Sequence, residues 1–218
     1  MLLRLLRRKL AADKSGAAAI EFAFVAVGLV LFTLAIVDVG FALFWFNRAE
    51  KATQLGVRVA AVSDPVAGAL INFRGTGAPG ASCRDGSGAM IPGCVHPDFR
   101  CSVTGTTGTC TNTGLFSSAA FSKIFGEMRT LYPQLSSENV EVEYRPTPLG
   151  FVGRPSRLVN PVDPDFNSYN LVPQITVRIV NLTYNWVALG SLLGLSPLNL
   201  PVISASLNAE DLDHTTNL

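Results

Sequence analysis

From Ala17 to Phe46 the chain is apolar or small at every position except Glu21, Thr33 and Asp38. As a helix this run would extend about 45 Å, well beyond a hydrocarbon core of about 30 Å. Ahead of it lie Arg4, Arg7, Arg8, Lys9 and Lys14 against Asp13 alone, a net +4. Positive residues flanking a span stay in the cytoplasm, so the N-terminus is expected inside and everything after Phe46 outside. Phe44, Trp45 and Phe46 are expected to form the outer aromatic belt. A secretory signal peptide fits poorly, because its apolar core runs about 7–15 residues and ends in small residues. This run is longer and ends in Phe-Trp-Phe, so it is expected to remain in the membrane.

The two acids within the run need a physical reason, since a carboxylate near a helix centre costs about 2.5–3.5 kcal/mol on insertion scales. Counting back about twenty residues from Trp45, one bilayer's worth, reaches Val25. Glu21 then lies at the inner interface, where the penalty is smaller. A second reading has a peptidase cutting after Gly16. The new α-amine of Ala17 would lie four residues from Glu21 on one helix face. Amine and carboxylate attract strongly in a low-dielectric layer, within a chain or between subunits. Asp38 lies deeper on the same count and is expected either to snorkel outward or to face another helix. Ala19, Ala23, Ala26, Gly28, Ala35 and Gly40 would let neighbouring helices approach, although alanine is also simply tolerated in lipid.

The helix is expected to continue past the membrane. Asn47 to Val62 contains no proline, and Ala49, Ala52, Leu55, Val59 and Val62 recur at spacings of three and four. Arg48, Glu50, Lys51 and Arg58 occupy other faces. Ser63-Asp64-Pro65 stops the helix, because proline disfavours helical geometry in the residue before it. The expected organisation is a leader at 1–16, a span at 17–46, an amphipathic extension at 47–62 and an extracytoplasmic domain at 63–218.

Gly16-Ala17 with Glu21 resembles the type IV prepilin processing site, where a membrane peptidase cuts after glycine and glutamate is the fifth mature residue. The longer stretches Ala19-Ile20-Glu21-Phe22-Ala23-Phe24-Val25, Ile36-Val37-Asp38-Val39-Gly40 and Leu55-Gly56-Val57-Arg58-Val59-Ala60-Ala61 resemble the TadE-like proteins, minor pseudopilins of bacterial Flp/Tad pilus systems. The resemblance covers roughly residues 15–62. It implies a structural role without an active site or cofactor and a single span in the bacterial inner membrane with a periplasmic C-terminal domain. The implied partners are a prepilin peptidase, other pilins or pseudopilins, and the Tad assembly platform. Two departures stand out: Val27-Gly28 replaces the family's frequent mid-span proline, and Phe41 follows Gly40 where arginine is frequent. Cleavage would leave Ala17–Leu218 with 12 basic and 15 acidic residues, a net −3.

Glycine recurs from Gly68 to Gly114, and all four cysteines, Cys83, Cys94, Cys101 and Cys110, lie in that stretch. So long a loop in a compact domain calls for staples, and an extracytoplasmic location allows disulfides. Three pairings are possible. Cys83–Cys94 with Cys101–Cys110 is preferred, because residues 101–110 read as a hairpin with glycines near its turn. Each staple would be worth about 3 kcal/mol in the loop-entropy model. A zinc site using His96 is disfavoured, since short Cys-x2–4-Cys pairs are missing.

Beyond the loop, Leu115 to Leu131 is expected to be helical, with Leu115, Ala119, Ile124, Met128 and Leu131 on its apolar face. Val140, Val142 and Tyr144 alternate with Glu141, Glu143 and Arg145 as a half-exposed strand, and the two acids are expected on its solvated face. Arg145 to Pro164 is a proline-rich connection. Gln174 to Tyr184 alternates again, and Val202 to Leu207 can supply a last short strand. Trp186 to Leu200 is apolar without a clear period, and core is the default, with an exposed patch against a subunit or membrane surface as the alternative. The expected fold is therefore α+β: a long N-terminal transmembrane helix continuing into a small domain with about three strands and a disulfide-stapled loop. The pilin-like arrangement itself rests on the resemblance.

Catalysis finds little support. His96 and His214 are the only histidines, and no hydrolase elbow, zinc motif or phosphate loop occurs. Gly75-Thr-Gly77 and Gly86-Ser-Gly88 read as loop, Asp163/Asp165 as a solvated pair rather than a calcium site, and Asn181-Leu182-Thr183 as a chance glycosylation sequon. A formal charge of +1 and a mean hydropathy of +0.33 leave no electrostatic footprint for nucleic acid. The competing function class is an uncleaved single-pass membrane protein whose stapled domain binds a ligand in the cell envelope.

Overall fold

The computed structural model describes residues 15–70, 85–89, 91, 97–112, 115–146 and 173–209. The chain divides into two compact units, Met1–Phe44 with Thr183–Leu198, and Trp45–Leu182 with Asn199–Leu218. Helix α1, Ser15–Ala61, runs without interruption through the end of the first unit and into the second. No proline occurs until Pro65, and the helix stops four residues short of it.

In the first unit α1 presents apolar side chains outward, among them Ile20, Phe22, Phe24, Val27, Leu29, Phe32 and Ile36. An 18-residue window with a mean hydropathy of 2.6 buries none of its residues within the chain, so length and composition suit a membrane crossing. A core helix of a soluble domain would be covered by its own fold. The rest of this unit comprises β5 (Thr183–Tyr184), the short helix α3 (Leu189–Leu193) and the start of β6 (Leu198–Asn199); β5 and β6 pair as a two-stranded sheet.

The second unit is built on a five-stranded antiparallel sheet. Its strands are β1 (Phe99–Thr104), β2 (Thr107–Cys110), β3 (Val140–Arg145), β4 (Gln174–Ile179) and β7 (Ile203–Asn208), in the order β2-β1-β3-β4-β7. Successive side chains point to opposite faces, so the register sorts them. Phe99 opposes Tyr144, Cys101 opposes Val142, Val142 opposes Val177 and Ile179 opposes Ile203. All of these are buried on one face with α2 (Ser118–Leu131) and the C-terminal part of α1. The α+β class is as expected, with more strands than the three anticipated.

On α1 the buried stripe is Ala49, Ala52, Thr53, Gly56, Val57, Ala60 and Ala61. The stripe expected from apolar spacing shares only its first two members, since Leu55 and Val59 are half-buried and Val62 is exposed. Small residues face the sheet because the backbone comes close. A methyl group at Gly56 would lie 2.6 Å from Met128 Sδ and 3.4 Å from Val177 Cγ1. Of the aromatic residues expected at the outer boundary, Phe44 is exposed, while Trp45 and Phe46 are partly buried against this core, Trp45 meeting Tyr132 edge-on at 5.8 Å.

The α2 helix starts at Ser118 rather than Leu115. Phe116 bridges to Ala67 in extended pairing, and Ser117 caps the helix by accepting the Ala120 N–H. That start turns Ala119 outward and buries Ala120, Phe121, Ile124 and Met128. The β1–β2 hairpin turns at Gly105-Thr106, with Gly105 at φ 61°, the positive value that the first central position of a type II′ turn requires. Cys101 and Cys110 sit directly opposite and are disulfide-bonded, as expected. Tyr144, fully buried, accepts the Val66 N–H at 2.8 Å, and burial pushes its phenol well above the ordinary range, keeping it neutral. The strand expected over 174–184 breaks after Ile179, where Asn181 takes φ 53° and Asn139 Nδ2 donates to the carbonyls of Val180 and Asn181.

Cys83, Cys94, His96, His214, Asp163, Asp165, Gly75, Gly77 and most of the proline-rich connection lie outside the described residues. Gly86-Ser-Gly88 is a turn in which Asp85 accepts from the Ser87 and Ala89 N–H groups, a loop as expected.

Candidate functional site

Asp38 is the best-organised polar group on the apolar helix. Its side chain is fully covered, in a stretch where Val37 and Val39 are about half exposed. The carboxylate turns away from solvent toward the N-terminal end of another helix, α3. Oδ1 accepts the Val187 N–H at 2.9 Å and the Ala188 N–H at 3.1 Å, while Oδ2 accepts the Leu189 N–H at 2.8 Å. Helix starts leave backbone donors without intrahelical partners, and an aspartate is a strong acceptor for them. The residue at the capping position of α3 is Ala188, which has no side chain able to serve, so Asp38 caps α3 from a distant point in the chain.

The surrounding contacts fix the same arrangement. Tyr184 Oη donates to the backbone carbonyl of Asp38 at 3.1 Å, and the Tyr184 and Trp186 rings meet edge-on at 5.8 Å. Trp186 Nε1 donates to the Ser196 carbonyl at 2.8 Å, closing the segment upon itself. Gly190 leaves room for Trp186, whose Cβ would lie 2.8 Å from an added methyl. Gly194 ends α3 in the left-handed conformation, φ 65°, the usual role of a glycine at a helix C-terminus.

The segment so anchored is not core. Val187 and Leu192 are each 59% exposed, Leu193 54%, Leu195 43% and Leu198 42%. The default expectation for Trp186–Leu200 is thereby overturned for most of its length. The N–H groups of residues 187–189 bond to Asp38 and the Trp186 indole to the Ser196 carbonyl, five of its aliphatic side chains are exposed, and Leu200 packs partly against the core of the second unit. No local signal in the sequence joins Asp38 to Val187, because the pairing spans 149 residues. The available hint was a helix with a glycine stop and no capping side chain of its own.

The other expected site residues lie at the start of α1. Gly16, Ala17 and Glu21 are all exposed, and nothing lies within 4 Å of a methyl built on Gly16. Glu21 precedes Asp38 by seventeen residues, about 26 Å along a helix.

A further ionic cluster lies on the sheet face opposite the core. Glu143 is buried rather than solvated, and its carboxylate meets Arg145 at 3.0 Å, Arg100 at 3.2 Å and Arg178 at 2.5 Å. The three arginines come from β3, β1 and β4, so the cluster ties adjacent strands together. A carboxylate buried with three guanidiniums is a structural tie and holds nothing in place for chemistry. No group of three metal-ligating side chains occurs among the described residues.

No curated protein and no solved structure matches this chain. A family model does: the one described as TadE-like protein matches residues 16–58, from the glycine beside the exposed Glu21 to the helical stripe packed on the sheet. The match covers about a fifth of the chain, and over that stretch the chain is similar to the TadE-like proteins, the family that its sequence resembles.

Proposed function

We propose that this chain is a minor pseudopilin of a Flp/Tad-type pilus or secretion apparatus, cut by a prepilin peptidase between Gly16 and Ala17. The carrying observation is the exposure of Glu21 on an apolar helix face, five positions after an unencumbered glycine and inside the TadE-like match. The α1 helix holds the protein in the bacterial inner membrane, its leader cytoplasmic and its sheet domain periplasmic. Its outward apolar side chains pack against the helices of other pilins or pseudopilins and of the assembly platform. The amine freed at Ala17 pairs with Glu21 of its own or a neighbouring subunit, which favours docking in a low-dielectric layer. The role is structural, and the sheet domain contributes a rigid body to the assembly.

Glu21→Ala tests this in cells carrying the cognate system. The variant accumulates in the membrane at the wild-type level, because Glu21 is exposed and has no partner among the described residues, while pilus output falls by about tenfold or more. Wild-type piliation in that strain would reduce Glu21 to an interfacial bystander.

A further inference from the structure

We propose that residues 187–198 form a second lipid contact, an apolar flap seated in the headgroup–acyl boundary and locked to the spanning helix by Asp38. The inference rests on the reading of α1 as a membrane span and adds to it a structured element at that span's C-terminal end.

Depth comes first. The two carboxylates of α1, Glu21 and Asp38, lie about 26 Å apart along the helix, close to the thickness of a hydrocarbon layer of about 30 Å, so a layer lying between them leaves neither costly acid at its centre. Trp45 and Phe46, where the outer belt was expected, are partly buried against the core of the second unit, so the outer boundary need not lie at those residues. Asp38 then marks the boundary, and the segment bonded to it occupies the same level.

Composition supports lipid as the occupant. No charged residue occurs from Val180 to Ala209, and the flap turns out Val187, Leu192, Leu193, Leu195 and Leu198. On α1 the neighbouring Val37, Val39 and Phe41 are likewise exposed, so the apolar surface continues from helix to flap. Whatever covers one covers the other. An element in that layer must also satisfy its polar groups internally, because the hydrocarbon offers no partners. The flap does so where α3 begins: Asp38 takes the N–H groups of residues 187–189, and the Ser196 carbonyl takes the Trp186 indole N–H. An acid that is costly in a membrane helix thus becomes the acceptor that lets a chain segment lie against that helix at the interface.

Trp186 is a built-in reporter, because Trp45→Phe leaves it the sole tryptophan. The full chain carrying that substitution is reconstituted into phosphatidylcholine vesicles with plain or brominated acyl chains, and vesicle flotation is scored in parallel. An interfacial element sits about 5–10 Å into the headgroup–acyl boundary, so brominated chains should cut Trp186 emission by about half. Leu192→Asp with Leu193→Asp, both at exposed positions, should abolish most of that quenching while the protein still floats. Protein that floats with Trp186 equally bright in both vesicles overturns the flap. If Trp186 is then also shielded from aqueous acrylamide, another protein surface covers the segment. Protein that fails to float rejects the span and the flap together, and the flotation score separates that failure from failure of the flap alone.

Discussion

Asp38→Ala releases residues 186–198 from α1 and exposes them to protease. In the wild-type protein three consecutive N–H groups, those of Val187, Ala188 and Leu189, end on one carboxylate. Charge-assisted bonds of this kind are roughly twice as strong as neutral ones. Alanine removes every acceptor at once and leaves the donors facing an apolar helix. Limited proteolysis of the full chain in detergent, read by fragment mass, should find new cuts between Trp186 and Leu198 at a protease dose that spares the wild type. Asp38→Asn keeps the shape and one acceptor oxygen, so its cutting should be intermediate. An unchanged map in Asp38→Ala would mean that Tyr184 and Trp186 hold the segment without the carboxylate.

Gly56→Leu should be the most damaging single change in the sheet domain. A methyl at this position already reaches to 2.6 Å from Met128 Sδ and 2.8 Å from its Cγ, with Val177 Cγ1 behind at 3.4 Å. Met128 itself is fully buried and cannot swing into solvent. Overpacking a tight core costs about 1–3 kcal/mol and occasionally more, and leucine adds three carbons beyond that methyl. The expected loss is about 3 kcal/mol or more, a large part of a typical 5–15 kcal/mol stability. Thermal unfolding followed by near-ultraviolet dichroism should show it. Gly56→Ala should be far milder, because alanine's helix propensity offsets up to about 1 kcal/mol of the crowding. Equal melting of Gly56→Leu and wild type would contradict the close helix–sheet approach.

Elements whose causes are local were readable from the sequence. The course of α1 follows from unbroken helix-compatible residues and the stop at Ser63-Asp64-Pro65. The strands Val140–Arg145 and Gln174–Ile179 follow from strict alternation, and the Cys101–Cys110 pairing from a hairpin with glycine at its turn. The buried stripe beyond Asn47 was misphased for a physical reason. Spacing arguments weight large apolar residues, whereas a helix lying close to a sheet buries its alanines and Gly56 and leaves Leu55 and Val59 at the margin. Alternation also assigned Glu143 to water, because it does not register that arginines on neighbouring strands converge on that position. The cap on α3 was the least readable, since an acceptor and its donors 149–151 residues apart leave no pattern in either neighbourhood.

Asp38 and Glu21 thus differ in kind although both are carboxylates on one apolar helix. Asp38 is satisfied by its own chain, as the acceptor for three N–H groups of the first unit. Glu21 is exposed and has no partner among the described residues, and its proposed partner is an amine that exists only after a peptide bond is cut. The measurement that bears most directly on this account is the intact mass and N-terminal sequence of the protein purified from membranes, with and without the prepilin peptidase. The account predicts a chain beginning at Ala17 when the peptidase is present and the uncut Gly16–Ala17 bond when it is absent. A leader retained in both strains would contradict it and leave a membrane-anchored envelope protein in place of an assembly subunit.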